Sequence, residues 1–147
     1  MILALDAGHL ADIFARARAV WPQEACGLLV GRGRRVLKVA RVVPAANLLA
    51  EVPGRFELDP AVRLAVEKAC RGTDERVLGH WHSHPDGVAL PSATDLAMAF
   101  EPGLVWLIVA VDATGAPQAR AFRTDSKSGG FRPVVLSSEE KKLASPR

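Results

Sequence analysis

The sequence predicts a mixed α+β fold in which a mixed β-sheet carries helices on its faces. Three observations lead there. Two stretches, Ala7 to Val20 and Pro60 to Cys70, repeat apolar residues at the three- and four-residue spacing of an amphipathic helix. Strand-like runs alternate with them irregularly, which does not suit a doubly wound parallel sheet. The run "LVWLIVAVD", Leu104 to Asp112, is continuously apolar, as a strand covered on both faces must be.

Ile2 to Leu5 reads as a short edge strand. Asp6 is placed to cap a helix over 7–20, whose core face is Leu10, Ile13, Phe14 and Ala17, and Trp21-Pro22 ends it. "ACGLLVG" and "RVLKVARVV" form a hairpin through Gly31-Arg32-Gly33, and an irregular region follows from Pro44 to Arg55. Asp59 caps and Pro60 opens the second helix, with Val62, Leu64, Ala65 and Ala69 as its apolar face. "RVLGHWHSH" is the next strand, Asp86 to Pro91 a loop, and Ser92 the cap of a short helix through Phe100. "LVWLIVAVD" and "QARAFR" form a second hairpin, and "FRPVVL" is a last strand after the loop "TDSKSGG", whose Gly129-Gly130 reads as a turn.

With 147 residues, 49% hydrophobic and 24% charged, the chain suits one globular domain over residues 1–136 and a polar tail over 137–147 that frays. Two cysteines, Cys26 and Cys70, are too few for a disulfide scaffold or a four-cysteine zinc site, and a reducing cytoplasm is the simpler expectation. The start "MILALDAGHLAD" does not read as a signal peptide, and no window reaches the roughly 18 apolar residues of a membrane span. The net charge of +3 owes much to "GRGRRVLKVAR". Its polar and apolar residues alternate, so it reads as the solvated face of a strand. No nucleic-acid partner is expected, because no stacking aromatics are interleaved there.

The chemistry gathers in "GHWHSHPDGVALPSATD", Gly79 to Asp95, which holds three of the four histidines. On a strand His80, His82 and His84 share one face, which offers a three- or two-histidine metal site. A catalytic zinc takes three protein ligands and leaves the fourth place to water, and Asp95, one turn into the following helix, can supply a ligand. Read alone, Ser92 to Asp95 resembles a capping box, and Glu24 a surface charge after Pro22.

His82-Ser83-His84-Pro85, then Ser92 and Asp95, resembles the signature of the JAMM (MPN-plus) zinc metallopeptidases, and "PQEACGLLVG" resembles their glutamate-bearing segment. The resemblance implies a curved mixed sheet flanked by helices, like the core of the cytidine deaminases. By family position His82, His84 and Asp95 would hold Zn2+, Glu24 would act as general base, and Ser92 would donate a hydrogen bond to the oxyanion. His80 falls where the family places apolar or aromatic residues, so it is an outer or surface histidine. Cys26 reads as a buried structural thiol.

Small stand-alone bacterial members resemble this chain in length. They imply a ubiquitin-like sulfur carrier as partner and hydrolysis after its Gly-Gly end, releasing cysteine or trailing residues; a homodimer is compatible with this. Only Glu101 to Leu104 separate the short helix from the next strand, so the insertions that grip a second ubiquitin have no room. Two competing readings are a non-catalytic interaction module, which would lack metal, and a DNA-repair-associated relative, which would bind DNA in a salt-dependent way.

Overall fold

The computed structural model describes residues 1–99, 101–125, 127 and 129–138. Most of the polar tail, and Phe100 at the expected end of the short helix, lie outside them. The elements run β1 (Ile2–Ala4), α1 (Ala7–Val20), β2 (Cys26–Arg32), β3 (Val36–Ala45), α2 (Pro60–Cys70), β4 (Arg76–His84), α3 (Ala93–Ala97), β5 (Val105–Ala110), β6 (Gln118–Thr124) and β7 (Phe131–Ser137).

The sheet is mixed, as expected, but it closes on itself in the order β1-β3-β2-β4-β5-β6-β7. This corrects the edge position expected for β1, and it carries the expected curvature of the sheet through to closure. Three residues of β1 pair in parallel with β3 on one side and with β7 on the other, so the strand bridges the two ends of the chain's sheet. Twist accumulated over seven strands brings those ends together, and closure removes both edges.

Helices still cover both faces. Ile13 and Ala17 of α1 join Leu29, Leu37, Trp81, Leu107 and Val109 in the largest core cluster. On the other face Val66 and Cys70 of α2 meet Leu28 and Val30. The core stripe of α2 is thus Val62, Val66 and Cys70 at four-residue spacing, whereas Leu64, expected inside, is 68% exposed. The continuous apolar run behaves as predicted. Every residue of β5 is buried, with Val105, Leu107 and Val109 packed on one side and Trp106 and Ile108 on the other.

β4 lies between β2, antiparallel, and β5, parallel. The β2–β4 register shifts where Leu29 pairs with Gly79 and Val30 with Val77, which leaves Leu78 as an extra residue. That bulge lets Leu78 and Trp81 both enter the main core, and beyond it His80, His82 and His84 alternate on the opposite face. Gly79 sits at the tightest point of this three-strand sandwich. A Cβ there would run into the backbone carbonyl of Val105. Gly79→Ala is therefore expected to destabilise the fold by about 1–3 kcal/mol, through strand separation that no rotamer can relieve. Thermal denaturation checks this, and an unchanged melting temperature would show that β4 and β5 can part without cost.

Candidate functional site

His82 and His84 are delivered by strand parity. They stand two residues apart on β4, 0% and 7% exposed. Asp95 arrives from α3, which Ser92 starts. The Asp95 backbone N–H donates to Ser92 Oγ at 3.0 Å, and the Ser92 N–H donates to Asp95 Oδ2 at 2.8 Å. The capping box legible in the sequence is real, and it aims the carboxylate. One oxygen of Asp95 lies 3.2 Å from His82 Nε2 and the other 3.0 Å from His84 Nε2, while the two imidazole nitrogens are 3.0 Å apart. The helix spans only 93–97 among the described residues, but Asp95 sits within that turn.

This donor set fits a metal ion. His84 Nδ1 lies 2.9 Å from the Val88 carbonyl, which can only accept, so Nδ1 carries the proton and a neutral His84 turns a lone pair at Nε2 toward His82 and Asp95. Asp95 offers only lone pairs there as well. Ligand atoms around a tetrahedral zinc with bonds of ~2.0–2.1 Å stand about 3.3 Å apart, close to the spacing of this triangle. Glu24 also reaches the cluster: its carboxylate and the two imidazoles place ligand atoms within 4.8 Å of one another, a set that could hold a metal ion. Asp95 is the nearer carboxylate, and Glu24 stands at the cluster's side.

Glu24 is 6% exposed, so the reading as a surface charge is wrong. Its position depends on residues that the sequence did not single out. The Ala25 N–H donates to Ser83 Oγ at 2.8 Å, and the Ser83 N–H donates back to the Ala25 carbonyl at 3.0 Å. Ser83 thereby staples the start of β2 to the strand that carries the histidines. Asn47 Nδ2 donates to the Glu24 carbonyl at 2.9 Å, and Trp21 Nε1 donates to the Pro85 carbonyl at 3.1 Å. Ser83 lay inside the recognised motif, but nothing in spacing distinguishes a stapling serine. Asn47 could have been found as a turn-forming residue in an irregular region.

The two carboxylates are tuned in opposite directions. Burial pushes Glu24 up to about 7; the charge of His84 lowers it, and Asp95 and Asp86 raise it further. Burial also opposes ionisation of Asp95, but with no metal bound, hydrogen bonds from His82 and His84, together with the Ser92 N–H, hold it well below the usual carboxylate range. His82 is lowered by burial and stays neutral. For His84 burial pulls down, yet Asp95, the Val88 carbonyl and Glu24 outweigh it and raise it.

His80 does not join the cluster. Its ring centroid is 6.0 Å from that of His82, it packs edge-on against Trp106 at 4.3 Å, and burial draws its pKa down to about 3. Its Nδ1 has no hydrogen-bond partner among the described residues. Cys26 is a buried thiol whose Sγ lies 3.7 Å from the carbonyls of Ala45 and Ala46. Burial, then the charge of Glu24, pushes it up to about 12, so the unreactive structural role expected for it fits. The basic stretch is solvated and partly neutralised, with Arg32 and Arg41 paired to Glu75. No described helix is long and apolar enough to cross a membrane.

The sequence profile of prokaryotic homologs of the JAB domain matches residues 6–125, the span from the α1 cap to the end of β6. This chain is a prokaryotic JAB-family protein. It is 30% identical over 122 residues to the CysO-cysteine peptidase of Mycobacterium tuberculosis, covering 83% of this chain and 82% of that one. It is also 37% identical over 92 residues to the desampylase of Haloferax volcanii, covering 62% of this chain and 65% of the relative's length. Among solved structures, a Desulfitobacterium hafniense protein superposes over all of both chains with a TM-score of 0.79 and 33% identity. All five residues of the recognised motifs fall inside the matched JAB span, and the structure brings the side chains of four, Glu24, His82, His84 and Asp95, to one place.

The raised pKa of Glu24 has a consequence for the metal-free protein. Between the ordinary 4.5 and about 7, the unfolded chain ionises Glu24 while the folded chain keeps the proton, so stability falls as pH rises through that window and levels off above it. An interval of about 2.5 in pH corresponds to roughly 3 kcal/mol at its upper limit. Glu24→Gln, which removes the titration, should melt with wild type near pH 4.5 and roughly 6–12 °C above it at pH 8, in the presence of chelator. Parallel melting curves at every pH would mean that Glu24 is not held neutral.

Proposed function

We propose that this protein is a zinc-dependent peptidase that hydrolyses the peptide or isopeptide bond after the Gly-Gly end of a ubiquitin-like sulfur carrier, releasing cysteine or trailing residues. The observation that carries the reading is the meeting of His82 Nε2, His84 Nε2 and the Asp95 carboxylate at 3.0–3.2 Å beside a buried Glu24. The names of two relatives, a CysO-cysteine peptidase and a desampylase, support it.

His82, His84 and Asp95 would hold the zinc. When bound, zinc supplies the positive charge that polarises a carbonyl and acidifies a water. Glu24 would take the proton from the attacking water and return it to the leaving amine. Burial beside the histidines makes Glu24 a carboxyl that can both accept and return a proton, and help of this kind is worth ~10²–10⁴ in rate. Ser92 is exposed and its Oγ accepts from the Asp95 N–H, so its hydroxyl proton is left to donate to the scissile carbonyl oxygen as that oxygen gains charge.

A crevice between the 49–56 segment and α3, lined by Leu49, Gly54, Arg55, Phe56, Thr94, Asp95 and Met98, leads to Asp95. It holds only about 20 Å³ of free space. Space that holds about one water leaves none for a side chain, so glycines, which carry none, are the residues such a crevice excludes least when it widens to admit a tail.

Two experiments test the reading. The first is intact mass of a ubiquitin-like carrier extended by one cysteine after Gly-Gly and incubated with this protein. Loss of one cysteine is expected, and it should vanish with chelator and in Glu24→Gln; an unchanged mass from a zinc-loaded enzyme would discard the carrier substrate. The second separates the two roles of Ser92. Ser92→Ala should cost about 1 kcal/mol of stability as a lost cap but ~10²–10³ in turnover as a lost oxyanion donor. Activity that declines only in step with melting would reduce Ser92 to a cap.

A further inference from the structure

We propose that Phe56 is a positioning residue for His82: its ring, stacked on the imidazole, fixes the plane of a side chain whose outer ring nitrogen, Nδ1, has no hydrogen bond to fix it. The inference rests on the metal reading of the preceding subsection and adds a residue to it. A metal-binding histidine ordinarily donates its second ring N–H to a carbonyl, carboxylate or water, which fixes the plane of the ring. His84 follows that rule through Val88. His82 does not. Its Nδ1 is buried and has no hydrogen-bond partner among the described residues, although the ring is wholly enclosed.

Rotation of the imidazole about its own axis is limited instead by neighbouring rings. Phe56 lies over one face of His82 with a centroid distance of 4.3 Å and an interplanar angle of 17°. Trp106 meets it edge-on at 5.7 Å and 84°, and His84 at 4.9 Å and 62°. A turn of a few tens of degrees would drive the imidazole edge into the Phe56 face. Trp106 and His84 come from the strands of the barrel, but Phe56 comes from the irregular segment between β3 and α2, so its own placement needs an explanation.

Asn47 provides it. Its Oδ1 accepts from the Glu57 N–H at 2.9 Å, its Nδ2 lies 3.4 Å from the Arg55 carbonyl, and a short antiparallel bridge joins Asn47 to Leu58. The residues on either side of Phe56 are therefore tied to one side chain. The ring also packs against Trp106 and Ile108 beneath it.

The test measures zinc affinity, by competition with a chromophoric chelator, for wild type and for Phe56→Ala, Phe56→Leu and Phe56→Tyr. Phe56→Leu refills the apolar space without a flat face, and Phe56→Tyr keeps the face. Ala and Leu are expected to bind zinc about 10–100-fold more weakly, the usual effect of losing a group that orients a ligand, and Tyr to bind as wild type does. With cobalt in place of zinc, the visible absorption band, which reports ligand geometry, should change shape in Ala and Leu and not in Tyr. Phe56→Leu that binds zinc as tightly as wild type would reduce Phe56 to apolar filling and overturn the inference while leaving the metal site intact. Wild type that binds no zinc would overturn the metal reading and this inference together.

Discussion

Two imidazole nitrogens and a carboxylate that meet within 3.2 Å, all bearing lone pairs, repel one another unless a proton or a metal cation lies between them. The rest of the structure is arranged to hold them there. β4 cannot retreat, because β2 and β5 flank it and Gly79 lets β5 come closer than a side chain would allow. Asp95 cannot rotate away without giving up the Ser92 N–H that starts α3. An isolated buried carboxylate would lose its charge to desolvation; this one keeps it because the Ser92 N–H donates to it and, with no metal bound, protons shared with the two imidazoles do so as well.

Glu24 shows what the same burial does without those donors. It lies within 4.8 Å of both imidazoles yet is pushed up to about 7, while Asp95 is driven down. Two carboxyl groups in one pocket with pKa values forced apart is the pattern by which environments assign an acid–base role to one and an electrostatic role to the other. The difference is built from backbone geometry. α3 presents an N–H to Asp95, whereas the segment before β2 is held by its main chain, through Ser83 and Asn47, and leaves the Glu24 side chain free to exchange a proton.

Local pattern was enough for most elements and for grouping His82 and His84 with Asp95, whereas Glu24 and Ser92 were singled out by the family resemblance. The extents of the two long helices, the caps at Asp6 and Asp59, and the apolar run of β5 depend on neighbours in sequence, and all three fall where expected. Closure of the sheet was not legible, because three residues, Ile2 to Ala4, pair with strands more than thirty residues away on one side and more than a hundred on the other. The face of α2 was misjudged at Leu64, Ala65 and Ala69 for a related reason: propensity and spacing admit two neighbouring stripes, and only the position of Leu28 and Val30 beneath the helix selects Val66 and Cys70. Glu24 taken alone resembled a surface charge. Its burial follows from the return of β4 beside β2, which only the second motif segment could signal.

The irregular segment between β3 and α2 contains the least regular structure and the densest polar anchoring. Asn47 commits both donors and its acceptor oxygen: to the Glu24 carbonyl, to the Arg55 carbonyl, and to the N–H groups of Leu49 and Glu57. One amide thus links the backbone of the buried glutamate to the loop whose aromatic ring covers His82. A barrel alone could present two histidines from a strand, since parity does that at no extra cost. Bringing a carboxylic acid and an aromatic ring up to those histidines requires chain outside the sheet, and such chain keeps its shape only where its own polar groups are satisfied. Asn47 meets that requirement with one side chain, which serves four backbone groups at once.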